Sequence, residues 1–347
     1  MNLPRHILVF RFSALGDVAM TVPVIKLLLQ QHPQLQITYV STAFVAPLFS
    51  GIERLHFYAA DLKGIHKGVT GLYRLYRELK SRFDCDSIAD LHNVIRTKIL
   101  RAFFSLSQKK MAAIDKGRSD KAELTRIKNK KLRPLKSMFE RYADVFKALG
   151  LPVALNGLPV TKEKYSQSRF LKLKEEGHAL IGVAPFAKHA EKMYPLDRIK
   201  EVVQLLTKQQ KARVFLFGSK AEADLLDGWA NELENVESLA GKMAFSDELT
   251  HMAQLDLMIS MDSANMHLAS LFGVPVVSVW GSTHPYAGFH GWGQSAENAV
   301  QVELYCRPCS VFGNRACYRG DLACLQSISP IIIYERAMQE LNKNRHV

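Results

Sequence analysis

The sequence predicts an α/β protein of two consecutive domains, and three observations carry that expectation. Short apolar runs alternate with amphipathic stretches of helical period, the pattern of βα units around a parallel sheet. The same alternation restarts near residue 179, after a Pro- and Gly-punctuated polar stretch, "LPVALNGLPVTKEKYSQS", that suits a linker. The length, 347 residues, exceeds what one core usually fills, because domains run about 100 to 200 residues. The expected division is 1–160 and 161–347.

In the first half, strands are expected at 6–11 ("HILVFR"), 36–41, 55–58, 86–91 and 111–114, with helices at about 17–31, 43–50, 70–82, 94–105 and 136–149. The last of these ends in "LGLP", where Gly150 suits a C-cap and Pro152 a stop. In the second half, strands are expected at 179–186, 212–219, 236–239, 256–261 and 274–281, with helices at 197–209 and 263–273. A final amphipathic stretch at 330–343 is left open to packing back on the first domain. Two such domains imply a cleft lined by the carboxyl ends of both sheets, where open α/β sheets bind ligands.

A chain 48% hydrophobic and 23% charged has the composition of an ordinary globular protein. The apolar run "ILVF" is too short for a signal-peptide core, and no stretch approaches the roughly 20 apolar residues of a membrane span. A cytoplasmic location is expected, with peripheral contact at a membrane surface left open. Charge is unevenly placed: residues 1–160 hold 26 Lys and Arg against 12 Asp and Glu, net +14, and the remainder is −1. Residues 109–136 alone hold 11 basic and 3 acidic side chains. Such a run is either solvated surface or a docking face for phosphate and carboxylate groups on a substrate or membrane, each cation near an anionic surface adding about 1 kcal/mol. A specific nucleic-acid partner is not expected, because the run lacks interleaved aromatics and any helix-turn-helix, zinc-finger or RNA-binding signature.

Two stretches carry chemistry. In "RFSALGDVAMTVP" (11–23) a strand runs through Gly16, which permits a tight turn, to Asp17 at a helix start. There a carboxylate serves either as a helix cap or, at the carboxyl edge of a parallel sheet, as a proton acceptor. In "LMISMDSANMHLASLFGVPVVSVWGSTHP" (257–285) a strand leads through Asp262 into a helix whose first N–H groups, at Ser263, Ala264 and Asn265, suit a diphosphate. Asp262 beside that site suits sugar hydroxyls, and His267 reads as a packed side chain.

The "DCD" at 84–86 mimics a metal-binding pattern but falls at the wrong edge of its strand, and no other carboxylate cluster asks for a metal, so no cofactor essential for catalysis is expected. Cys306, Cys309, Cys317 and Cys324 are spaced C-x2-C-x7-C-x6-C. In a reducing compartment that spacing favours a structural Zn²⁺ over disulfides, with free thiols as the alternative.

At these residues the chain resembles the ADP-heptose lipopolysaccharide heptosyltransferases, glycosyltransferase family 9, which are inverting enzymes of the two-domain GT-B fold, two Rossmann-like domains facing across a cleft. The resemblance lies in "RFSALGDVAMTVP", "DLHNVIRT" (90–97), "ERYADVFKALG" (140–150), "EKMYP" (191–195) and "DSANMHLASLFGVPVVSVWGSTHP" (262–285). It implies an ADP-sugar donor on the second domain and an anionic lipopolysaccharide acceptor on the first, at the inner membrane surface. It implies that Asp17 is the catalytic base and that Lys192 stabilises the departing diphosphate with the N–H groups near Ser263, Ala264 and Asn265. Asp262 would hold sugar hydroxyls, Glu222 the ribose, and Arg96 and Arg118 the acceptor. Two alternatives stay open: a GT-B-like sugar-nucleotide epimerase or hydrolase, which needs no basic acceptor face, and a basic nucleic-acid-binding protein.

Overall fold

The computed structural model describes residues 3–105, 107, 109–157, 169–209 and 211–345. Most of the expected linker, 158–168, lies outside them. The chain forms two compact units, Met1–Arg118 with Lys136–Pro159, and Ser119–Leu135 with Val160–Val347.

The first unit runs β1 (His6–Phe10), α1 (Leu15–Ala19), α2 (Thr21–Gln31), β2 (Gln36–Ser41), a 3-10 turn at Ala43–Phe49, β3 (Leu55–Ala59), α3 (Gly68–Arg82), β4 (Ser87–Asp90), α4 (Ile95–Ser105) and β5 (Lys110–Ala113). After α5 (Arg118–Leu124), which carries the chain across to the second unit, α6 (Met138–Ala148) completes the first. Its sheet is wholly parallel, in the order β3-β2-β1-β4-β5. Central strands covered on both faces need apolar side chains in both directions, so Ile7, Leu8, Val9 and Phe10 are all buried. On one face α3 and α4 pack Leu72, Leu75, Leu79, Leu100 and Phe104 against Leu8, Phe10 and Ile88. The start of α6 is a capping box: Ser137 Oγ accepts from the Glu140 N–H, and Glu140 accepts from the Ser137 N–H.

The second unit adds α7 (Arg169–Glu175), β6 (Ala179–Ala184), α8 (Leu196–Thr207), β7 (Ala212–Leu216), α9 (Ala223–Glu232), β8 (Val236–Ser238), α10 (Phe245–Met252), β9 (Leu257–Met261), α11 (Ala264–Leu271), β10 (Val276–Val279), β11 (Ala299–Val300), α12 (Ala323–Gln326) and α13 (Pro330–Arg345). Its parallel sheet has the order β11-β10-β9-β6-β7-β8. The final helix belongs to the second unit, where Ile333, Ala337 and Leu341 join the core built on β6, β9 and α8. Among the described residues no helix is long and apolar enough to cross a membrane.

The division differs from the expected one at 119–135. The Leu135 N–H donates to Tyr286 O at 2.9 Å, and Lys130 Nζ donates to Cys306 O at 2.8 Å and Pro308 O at 2.6 Å. The Lys121 ammonium sits 4.3 Å from the centre of the Phe289 ring. Carbonyls and a ring face thus take up part of this run's charge inside the second unit, and the run at 109–136 is divided between the two units. Counted by unit, the first is net +10 and the second +3.

Candidate active site

In an open parallel sheet, ligands collect where consecutive connections leave in opposite directions, outside the carboxyl ends of the strands. In the first unit that point lies between β1 and β4, and in the second between β6 and β9.

Arg11 and Asp17 follow β1. Arg11 is 4% exposed, yet it is the charged partner of Asp17, with Nη2 2.7 Å from Asp17 Oδ2; its Nη1 donates to Leu91 O at 2.7 Å, just past β4. Its guanidinium also lies 5.9 Å from the centre of the Tyr142 ring, and the Tyr142 hydroxyl donates to Asp17 O at 3.3 Å. The same Asp17 Oδ2 accepts from the Ala14 N–H at 3.3 Å. Asp17 therefore sits at the third position of α1, Ala14 is the N-cap residue, and Gly16 lies within the helix without a left-handed backbone. One carboxylate oxygen is fixed by a buried cation, and the side chain as a whole remains about a quarter exposed, 26%.

Around this pair the unit is cationic. Asp90, fully buried at the end of β4, turns the chain by accepting from the His92 and Asn93 N–H groups at 3.0 and 2.7 Å, and Arg101 pairs with it at 3.0 Å. His92 then lies beside Arg11, its Nδ1 accepting from the Phe12 N–H at 3.4 Å. Burial, reinforced by Arg11 and Lys116, pushes the His92 imidazole down to about 3, so it is neutral. Burial also lowers Lys116, with Arg11 and Arg118 pushing in the same direction. Of the expected acceptor residues, Arg96 and Arg118 are exposed at the starts of α4 and α5, Arg96 facing His92 and Arg118 facing Lys116 electrostatically. Lys116 and His92 were not singled out in the sequence; Lys116 was hidden in the charge run and His92 in "DLHNVIRT".

In the second unit the loop after β6 carries Lys192, in a 3-10 turn at Ala190–Lys192, and the end of β9 carries Asp262. They meet across the switch point, Lys192 Nζ 2.9 Å from Asp262 Oδ2, and Thr283 Oγ1 donates to the same oxygen at 2.7 Å. Both side chains are largely buried, 15% and 7% exposed. Ser263, Ala264 and Asn265 follow at the start of α11, part-exposed, with Ser263 as N-cap residue and its hydroxyl 3.1 Å from that of Ser260 rather than on the helix N–H groups. Glu222 lies past the carboxyl end of β7, where one carboxylate oxygen accepts from the Ser219 N–H at 2.6 Å in a local capping box. His267 is buried.

A third element presses on Lys192. Gly313 has φ +73°, and a Cβ there would fall 2.4 Å from Lys192 Cγ. The chain before it is pinned by Arg307, 3% exposed, whose guanidinium donates to Gly281 O at 2.6 Å, Thr283 O at 2.9 Å and Gln301 Oε1 at 2.9 Å. This segment contains the four clustered cysteines. Cys306 and Cys324 are buried, while Cys309 and Cys317 are part-exposed. Among the described residues no three His, Cys, Asp or Glu side chains form a group able to hold a metal ion, so the expected Zn²⁺ on Cys306, Cys309, Cys317 and Cys324 has no support. Arg307 and Lys130 tie this segment down by bonding to carbonyls. The "DCD" pattern lies at the amino edge: Asp86 accepts from the Arg5 and His6 N–H groups at 2.6 and 2.9 Å as β1 begins.

A profile of glycosyltransferase family 9 (heptosyltransferase) matches residues 72–318. The lipopolysaccharide core heptosyltransferase OpsX of Haemophilus influenzae is 22% identical over 298 residues, 81% of this chain and 80% of that protein. Among solved structures, a family 9 glycosyltransferase from Veillonella parvula superimposes with a TM-score of 0.75 at 19% identity, covering 99% of both chains. The E. coli heptosyltransferase WaaC with ADP-2-deoxy-2-fluoro heptose does so with a TM-score of 0.65 at 17% identity, covering 98% of this chain and 99% of that one. These likenesses give the fold as GT-B, and the profile, spanning well over half of the sequence, gives the enzyme class: the chain is a glycosyltransferase and belongs to glycosyltransferase family 9, the heptosyltransferase family.

Proposed function

We propose that the protein transfers a heptose from an ADP-sugar to a lipopolysaccharide core acceptor, with inversion at the anomeric carbon, at the inner membrane surface. The observation that carries this reading is Asp17, a part-exposed carboxylate at the first switch point, held by a buried arginine. A cap alone does not need a buried guanidinium against it.

In the proposed step, Asp17 takes the proton of an acceptor hydroxyl as its oxygen attacks the anomeric carbon. The bond from that carbon to the diphosphate breaks on the opposite face, and the electron pair leaves with ADP. Charge growing on the diphosphate meets Lys192 and the first N–H groups of α11, groups that are most effective when fixed in advance. Asp262 and Thr283 keep Lys192 in place and offer acceptors and donors to sugar hydroxyls. Arg96, Arg118 and Lys116 face the acidic and phosphate groups of the acceptor. The WaaC complex with an ADP-heptose analogue supports the donor class.

The test is calorimetry of the protein with ADP, UDP, GDP and CDP, followed by transfer from ADP-heptose to a core acceptor. Preference for ADP with an inverted product is expected; a preference for another nucleotide would remove the ADP-heptose donor, and binding without transfer would favour an epimerase or hydrolase.

Gly313→Ala tests the placing of Lys192. The new methyl meets the middle of the Lys192 stem and imposes a left-handed backbone on alanine, a local cost of about 1–2 kcal/mol. The lysine tip must shift, and a displacement of about 1 Å in such a site costs up to about 10²-fold in rate. Steady-state kinetics should show kcat/KM lowered by about tenfold to a hundredfold, with the melting temperature lowered by only a few degrees.

A further inference from the structure

The first unit's charge excess has a definite location. Residues 62–77, which include most of α3, and 91–105, which include α4, hold seven Lys and Arg and no Asp or Glu, against a net +10 for the whole unit. Six of the seven, Lys63, Lys67, Arg74, Arg77, Arg96 and Lys98, are exposed, while Arg101 is paired with Asp90. Among these cations stand large apolar side chains left in solvent: Ile65 at 55%, Val69 at 59%, Tyr73 at 46% and Ile95 at 77%.

The two helices lie side by side, with the rings of Tyr73 and Phe103 5.4 Å apart and those of Tyr76 and Phe104 4.8 Å apart. Both leave the carboxyl edge of the sheet. Counting back from the Tyr73–Phe103 contact, Val69 lies about 6 Å and Ile95 about 12 Å nearer that edge, at 1.5 Å per residue. The apolar side chains therefore gather toward the edge that carries Arg11 and Asp17.

We propose that this surface, the exposed face of α3 with its preceding turn and the start of α4, docks the enzyme on a bilayer containing anionic lipid, with Ile65, Val69 and Ile95 entering the headgroup region and the lysines and arginines pairing with phosphates. Charge complementarity selects the occupant: apolar side chains ringed by cations, with the flanking carboxylates taken up locally, Asp61 by the Gly64 and Ile65 N–H groups and Glu78 by Tyr58 and His66, fit a lipid surface of phosphates over hydrocarbon. The proposal rests on the proposed transfer to a lipopolysaccharide acceptor, and it places Asp17 at the edge nearest the membrane.

The test is co-sedimentation of the full chain with mixed phosphatidylcholine and phosphatidylglycerol vesicles and with pure phosphatidylcholine vesicles. Wild type should bind the mixed vesicles, more weakly as salt rises. The variant Ile65→Ser/Val69→Ser/Ile95→Ser and the variant Lys63→Glu/Lys67→Glu/Arg74→Glu should each lose about tenfold or more in partitioning. Both should transfer sugar to a water-soluble, delipidated acceptor within about twofold of wild type. No binding by wild type, binding by the variants equal to wild type, or loss of soluble-acceptor transfer would each overturn the docking surface. So would a change of oligomeric state in the serine variant, which would make the patch a contact between copies. A wild type that binds vesicles but transfers no heptose to the soluble acceptor would instead overturn the proposed function.

Discussion

Asp17→Asn is expected to lower kcat/KM for sugar transfer by about 10³-fold, within the range that loss of a general base produces. The substitution is nearly isosteric. An asparagine oxygen at this position still accepts from Arg11 Nη2 and from the Ala14 N–H, the two bonds that hold the carboxylate now. The local helix start therefore survives, and what is lost is the ability to take a proton. Weakening the ion pair with the buried Arg11 should destabilise the first unit by about 1–3 kcal/mol, less than breaking a fully buried pair costs, because the carboxylate is part-exposed and its hydrogen bonds survive. ADP affinity measured by calorimetry should not move, since the proposed donor residues belong to the other unit. A variant that kept more than about a tenth of wild-type transfer, or that lost ADP binding along with transfer, would make Asp17 a helix cap and nothing more.

The elements were legible where one rule governed them. Buried parallel strands demand uninterrupted apolar runs, and "HILVF", "LMISM" and "VPVVSV" gave their positions to within a few residues. Short pieces such as β11, two residues long, carry no period and were not found. The long contacts were equally hidden. An arginine closing an apolar strand reads as a solvated end, but Arg11 turns inward because Asp17 and Leu91 O are there to receive it. Arg307 looks like one more charge in a cysteine-rich loop, and only folding shows it buried against the carbonyls of Gly281 and Thr283. Likewise the run at 119–135 follows the first unit in sequence but docks on the second, through carbonyls of residues more than 150 positions away. A carboxylate or lysine in a quoted motif can be singled out by its position, whereas the partner that fixes it cannot, since pairing depends on which strands the topology makes neighbours.

Lys192 is the other residue whose loss should be large, and its pairing makes the effect separable from stability. In Lys192→Ala the departing diphosphate loses its fixed cation, and kcat/KM should fall by about 10²- to 10³-fold, the range seen when one preorganised charge-stabilising group is removed. The same change strands Asp262, which is 5% exposed and left with only the Thr283 hydroxyl on that oxygen, so the variant should also lose about 3 kcal/mol of stability. Adding Asp262→Asn removes the stranded charge. The double variant Lys192→Ala/Asp262→Asn should therefore recover most of the lost melting temperature, because the two side chains couple directly at 2.9 Å. It should recover none of the activity. If transfer returned together with stability, Lys192 would be a counter-ion for a structural aspartate, and the stabilisation of the leaving group would have to be sought in the N–H groups at the start of α11 alone.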